Sequence, residues 1–135
     1  MITLENYFKT VEDLRSPEND KTAQALLDKV NALLDYLKTL GIKEYIDKET
    51  GSQISGNGSG GGGARRKNST EGRPQSSHKE FRGVDVADPQ NTIDGILTDA
   101  MLLKFGLYRE AAQCTISWCH LTDRSPRSGK RTFIP

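Results

Sequence analysis

The sequence predicts a small α+β domain, and three observations carry that reading. An apolar stripe at helical spacing runs through the first 40 residues. A short valine-containing strand segment stands at 83–88, and a second helical stripe and a further strand candidate follow it. In the first stripe Leu26, Val30, Leu33, Leu34, Leu37 and Leu40 share a face, with Asp28, Asn31, Asp35 and Lys38 between them. Asn19 or Asp20 supplies an N-cap and Gly41 a stop, so the spacing predicts a helix near 20–40. Before it, Leu4 to Leu14 reads as a shorter helix ending near Ser16-Pro17.

Composition changes abruptly after that helix. Between Gly56 and Gly63 six of eight residues are glycine, and Arg65 to Ser77 is polar throughout. Glycine loses the most entropy on ordering, and such a segment has no apolar side chains to offset the loss. Residues 50–77 are therefore expected to form a flexible loop. The 50 residues before it are too few for a sturdy core of their own, so residues 1–135 read as one domain with a long internal loop.

Regular structure resumes at Gly83-Val84-Asp85-Val86-Ala87-Asp88, a strand with its valines on one face and Asp85 on the other; Asp88-Pro89 ends it. Ile93, Ile96, Leu97, Ala100, Met101 and Phe105 then recur at helical spacing, with Thr92 as cap and Gly106 as terminator. A final strand is expected near Thr115–Thr122, with Ile116, Trp118 and His120 on one face, and a basic, turn-rich tail follows from Arg124.

The 135 residues are 34% hydrophobic and carry a net charge of +1. No run approaches the roughly 18 apolar residues of a membrane span, so no membrane insertion is expected. Met1 to Lys9 has no basic segment leading into an apolar run, which predicts cytoplasmic synthesis without a signal peptide. Two thiols, Cys114 and Cys119, are then expected to stay reduced. Charge is uneven: residues 1–50 hold seven basic and ten acidic side chains, residues 51–135 twelve and eight. With no global excess of positive charge, and few aromatics beside Arg65-Arg66-Lys67, nucleic acid is not an expected partner.

The two histidines, His78 and His120, hold the chemical interest. An ionised Asp85 on the strand face away from the valines needs a partner, a metal or solvent. Two imidazoles and a carboxylate suit a catalytic zinc and leave its fourth tetrahedral position open. Chance spacing with a packed histidine is the competing reading of the same residues. The glycine tract is no phosphate loop, since no Gly-Lys-Ser/Thr follows it. Cys119 adjoins His120, but alternation turns it to the other face.

The segment Ser76-Ser77-His78 followed by Gly83-Val84-Asp85-Val86-Ala87-Asp88-Pro89 resembles the Ser-x-His…Gly-x-Asp motif of the zinc D-alanyl-D-alanine peptidases. Trp118-Cys119-His120 is similar to that family's closing Trp-x-His. Short phage-encoded members look most alike, through Gly106-Leu107-Tyr108-Arg109-Glu110 and the ending Ser128-Gly129-Lys130-Arg131-Thr132-Phe133-Ile134-Pro135. The resemblance covers most of the chain and implies a Hedgehog/DD-peptidase-like fold, helices packed on a short, mainly antiparallel sheet. It also implies zinc held by His78, Asp85 and His120, and hydrolysis of a peptide bond in peptidoglycan stem peptides. The bond would be of the D-Ala-D-Ala carboxypeptidase or L-alanyl-D-glutamate endopeptidase type.

Two positions depart from the family. Its members usually place a carboxylate three residues before the last histidine as general base, and here that residue is Ser117, which cannot take a proton as a carboxylate does. Glu110 and Asp123 are the candidate substitutes, with an ordinary surface carboxylate as the competing reading of each. The family's Ser-Gly-Tyr-Arg has its nearest match in Gly63-Ala64-Arg65, which makes Arg65 or Arg66 the candidate for holding a substrate carboxylate, against a solvated basic loop. The Ser117 departure also supports a second expectation, a non-catalytic phage structural or binding protein that keeps the fold. Access to the cell wall would then come through lysis partners or delivery in a virion.

Overall fold

A computed structural model describes residues 1–56, 61–70 and 75–135; residues 57–60 and 71–74, both within the expected loop, lie outside the described residues. Thr3 opens a single helical turn, α1 (Leu4–Tyr7), by accepting from the Asn6 N–H, and a 3-10 turn follows at Glu12–Leu14. The helix expected over 4–14 is thus interrupted at Val11, a β-branched residue held at φ −141°. The main helix, α2 (Pro17–Thr39), starts earlier than the Asn19 or Asp20 cap implied. Ser16 caps it by accepting from the Asn19 N–H, and Pro17 stands at the first position, where a missing N–H costs nothing. Asn19 instead donates its side-chain amide to Leu14 O. Ala23, Leu26, Leu27, Val30, Leu33, Leu34 and Leu37 are all buried. At roughly 2 kcal/mol for each large aliphatic side chain, that face outweighs the marginal stability of an isolated helix.

The rest of the described chain builds a four-stranded sheet from β1 (Gly83–Ala87), β2 (Tyr108–Glu110), β3 (Trp118–Thr122) and β4 (Thr132–Phe133), in the order β1-β3-β2-β4. β3 runs antiparallel to β1 and β2, and β4 pairs parallel to β2. The class is α+β, as the sequence predicts. Val84 and Val86 of β1 and Cys119 and Leu121 of β3 face the helices and join the α2 stripe in one hydrophobic cluster.

Two elements between β1 and β3 differ from expectation. The single helix over 92–106 is broken into α3 (Thr92–Ile96) and α4 (Asp99–Phe105), because Thr98 turns extended and caps α4 by accepting from the Met101 N–H. The first of these is held by Asp88, whose buried carboxylate accepts from the Ile93 and Asp94 N–H groups at 3.0 and 2.9 Å; Thr92 is not its cap. The last strand begins at Trp118 rather than Thr115, since Ser117 sits in the left-handed region at φ 76° and a 3-10 turn occupies Ala112–Cys114. Ile116 consequently lies outside the strand and is exposed.

The glycine-rich segment packs in a way the sequence does not show. The Ser55 N–H donates to Asp85 O, the Asp85 N–H to Gly62 O and the Ala87 N–H to Gln53 O, each at 2.8 Å. Residues 53–55 and 62 thereby cover the outer edge of β1. The Ala64 N–H donates to Tyr7 O at 2.9 Å, which ties the same segment to α1. A Cβ at Gly62 would strike Ser55 O, and one at Gly63 would strike Tyr7 O. The expectation of a loop with nothing to pack is therefore corrected for Gly61–Ala64, which are buried by close approach of backbone to backbone. Among the described residues no helix is long and apolar enough to cross a membrane.

Candidate metal centre

Three elements converge on one point. Asp85 and His120 are register partners across β1 and β3, so their side chains leave the same face of the sheet. His78 arrives on a 3-10 turn, Ser77–Glu80, that Ser76 caps by accepting from the His78 N–H. The turn can lie on β1 because Gly83 has no side chain: a Cβ there would strike Ser77 Oγ and lie 3.1 Å from His120 Cε1. The Asp85 Oδ1 oxygen is 2.8 Å from His120 Nδ1 and 3.2 Å from His78 Nε2. One ligand atom from each of the three residues lies within 4.8 Å of the others, and all three are buried.

The partners of the two imidazoles orient the cluster. His78 Nδ1 is 2.8 Å from the Gly63 carbonyl, which can only accept, so in the neutral ring that nitrogen carries the proton. The Nε2 lone pair of His78 then faces Asp85 Oδ1, another acceptor. Burial pushes the His78 imidazole below its ordinary value, with the charge and hydrogen bond of Asp85 opposing. Burial also pushes the Asp85 carboxyl up, but the charges and hydrogen bonds of the two histidines overcome it and hold it well below the usual carboxylate range. An ionised carboxylate oxygen thus faces two imidazole nitrogens, at 2.8 and 3.2 Å. Two imidazoles and a carboxylate are donors that suit a first-row divalent ion. The group His78, Asp85 and His120 can hold a metal ion.

The other candidates fall in different places. The Arg65 guanidinium lies beside the cluster, its Nη2 3.7 Å from Asp85 Oδ2 and its Nε donating to Gly61 O at 2.7 Å. Its side chain is 11% exposed, so it is not a solvated loop residue, whereas Arg66 points outward to Asp13. Glu110 lies one residue beyond the last β2–β3 pair, that of Arg109 with Leu121. On its other side Glu110 pairs with Phe133, whose ring meets His120 edge-on at 6.4 Å between centroids. Asp123 is drawn elsewhere: Arg82 Nε donates to its Oδ1 at 2.9 Å and Lys29 Nζ to its Oδ2 at 3.5 Å. Both oxygens hold cations, which makes Asp123 a structural anchor between the end of β3 and α2. Ser117 is exposed, and its N–H meets Asn91 Oδ1 at 3.4 Å. Both cysteines are free thiols. Burial, and Asp94 beside it, push the Cys119 thiol up and keep it protonated, so it is no nucleophile.

Two groups at the centre have no counterpart among the sequence candidates. Gly63 contacts His78, and Ser77 Oγ sits 3.2 Å from His120 Nε2. Each histidine thus has its outer nitrogen engaged and its inner nitrogen facing Asp85, the arrangement that orients metal-binding imidazoles. Ser77 stands next to His78, but nothing in the spacing announces a contact with a residue 43 positions on. Comparison of the chain with protein-family models, with curated proteins and with solved structures finds no match.

Proposed function

We propose that this chain is a zinc-dependent, peptidase-like protein that hydrolyses a peptide bond in peptidoglycan stem peptides, of the D-Ala-D-Ala carboxypeptidase or endopeptidase type. One observation supports it above the others: the three residues of the Ser-x-His…Gly-x-Asp and Trp-x-His motifs meet in one buried cluster. His78 through Nε2, His120 through Nδ1 and Asp85 through a carboxylate oxygen are the residues that would hold zinc. Zinc, when bound, supplies Lewis acidity that lowers the pKa of water and polarises a carbonyl. Arg65 presents a guanidinium on the Asp85 side of the cluster, the chemistry that binds a peptide carboxylate. Glu110, paired with Phe133 whose ring meets His120, is the carboxylate assigned to accept a proton and return it to the leaving amine. Delivery to the wall, on lysis or in a virion, belongs to the same proposal.

Elemental analysis of the purified protein, run in parallel with turnover of peptidoglycan and of a D-Ala-D-Ala peptide, tests the reading. One zinc per chain together with product release is the expected result. Stoichiometric zinc with no release from any stem peptide replaces it with the second reading, a non-catalytic phage structural or binding protein, which Ser117 in the usual carboxylate position favours. A folded protein that takes up no zinc removes the metal site.

A further inference from the structure

The two histidines offer their outer nitrogens to partners of different kinds. His78 Nδ1 meets the Gly63 carbonyl, which accepts and never donates, so the neutral ring keeps its proton on Nδ1 whatever occupies the space at Nε2. His120 Nε2 meets the Ser77 hydroxyl, which can do either. Without a metal, the strongest acceptor near the His120 ring is the Asp85 carboxylate, 2.8 Å from Nδ1. In the neutral ring the proton therefore sits on Nδ1, and Nε2 is a lone pair for the Ser77 O–H to fill. With a metal on Nδ1 the ring must carry its proton on Nε2, and the same hydroxyl must turn to accept it. The ring loses one proton at Nδ1 and takes one at Nε2, so its charge does not change.

We infer that Ser77 is a positioning residue of the metal centre, a two-way hydrogen-bond partner that keeps His120 aimed at Asp85 in both of its tautomers, while Gly63 holds His78 in one. The oxygen itself has little freedom to move. Ser77 is buried, and its Oγ fills the space that a side chain at Gly83 would need. Only the hydroxyl hydrogen has to rotate, and such a rotor reorients without moving any heavy atom. A carbonyl in this place would favour only the metal-binding tautomer, and a methyl group neither. The inference rests on the metal reading proposed above and adds residues that the ligand motif does not contain.

Long-range proton–nitrogen correlations of the two imidazole rings in uniformly nitrogen-15-labelled protein test it, recorded where both rings are neutral, without metal and with one equivalent of zinc. His78 is expected to read as the Nδ1–H tautomer in both states. His120 is expected to change from Nδ1–H to Nε2–H on loading. A His120 ring that shows one tautomer in both states, in protein that does bind zinc, overturns the inference and leaves the metal site standing. A folded parent that binds no zinc overturns both. In the Ser77→Ala variant, zinc affinity is expected to fall by roughly 10- to 100-fold, in the range seen when an outer-shell partner of a ligand is lost. Affinity equal to that of the parent overturns the role of Ser77. Should the variant fail to fold, the pair of spectra from the parent protein decides the matter alone.

Discussion

Replacing Gly63 with alanine tests directly how the glycine tract is held. A Cβ at this position would fall inside contact distance of the Tyr7 carbonyl oxygen, 3.2 Å from its carbonyl carbon and 3.4 Å from its Cα. All three are main-chain atoms, so no change of rotamer relieves the overlap, and either residues 61–65 or the end of α1 must move. Movement strains the 2.9 Å bond from the Ala64 N–H to Tyr7 O and the 2.8 Å contact of Gly63 O with His78 Nδ1. Overpacking costs about 1–3 kcal/mol and a weakened hydrogen bond about 1 kcal/mol, so the expected loss is roughly 2–4 kcal/mol. Gly95 provides the control. It lies in α3 with nothing within 4 Å of a built Cβ, so Gly95→Ala should gain about 0.5–1 kcal/mol from the lower backbone entropy of alanine. Urea unfolding of the parent and both variants gives the comparison, since the midpoint shift multiplied by the common slope is the change in stability. If Gly63→Ala unfolds at the parent midpoint, residues 61–65 do not pack on Tyr7, and the account of the glycine tract fails.

Three further outcomes follow from the same geometry. Glu110→Gln should lower turnover by roughly 100-fold with zinc retained, whereas Asp123→Asn should keep turnover and lose about 1 kcal/mol through its half-exposed partners Arg82 and Lys29; steady-state assays with metal content measured in parallel separate the two. The metal-free protein should weaken as pH falls through 6.5, the ordinary value of His78, because the unfolded chain binds that proton before the folded one does. Stability from this group is complete above that pH and drains towards the lower folded value, while the depressed Asp85 adds its loss only below the ordinary carboxylate value of 3.8. Urea midpoints at about pH 7.5 and about pH 5.5 check the sign, and a higher midpoint at the acid pH contradicts it. Finally, brief trypsin digestion should cut after Arg66 or Lys67, which are exposed, and spare Arg65, which is held against Asp85 and Gly61; first cleavage after Arg65 contradicts its placement.

Periodicity and motif spacing determine a good part of this protein from the sequence alone. The α2 stripe reads as a buried helix because a helix repeats every 3.6 residues, and Val84, Asp85 and Val86 read as a strand because a strand alternates its faces. His78, Asp85 and His120 are legible because short motifs carry them. Local start signals stand at Ser16-Pro17, the beginning of α2, and at Thr98-Asp99, that of α4. The three-residue β2 and two-residue β4 have no such signal, since strands that short exist only through the neighbours that pair with them. Register, which is a property of two strands and not of one, pairs Glu110 with Phe133, and Arg82 and Lys29 approach Asp123 from other elements. The tertiary structure likewise decides that Gly61, Gly62 and Gly63 pack instead of hanging free. Its burial comes from main chain meeting main chain at Ser55, Tyr7 and Asp85, and hydropathy, which counts only side chains, carries no trace of it.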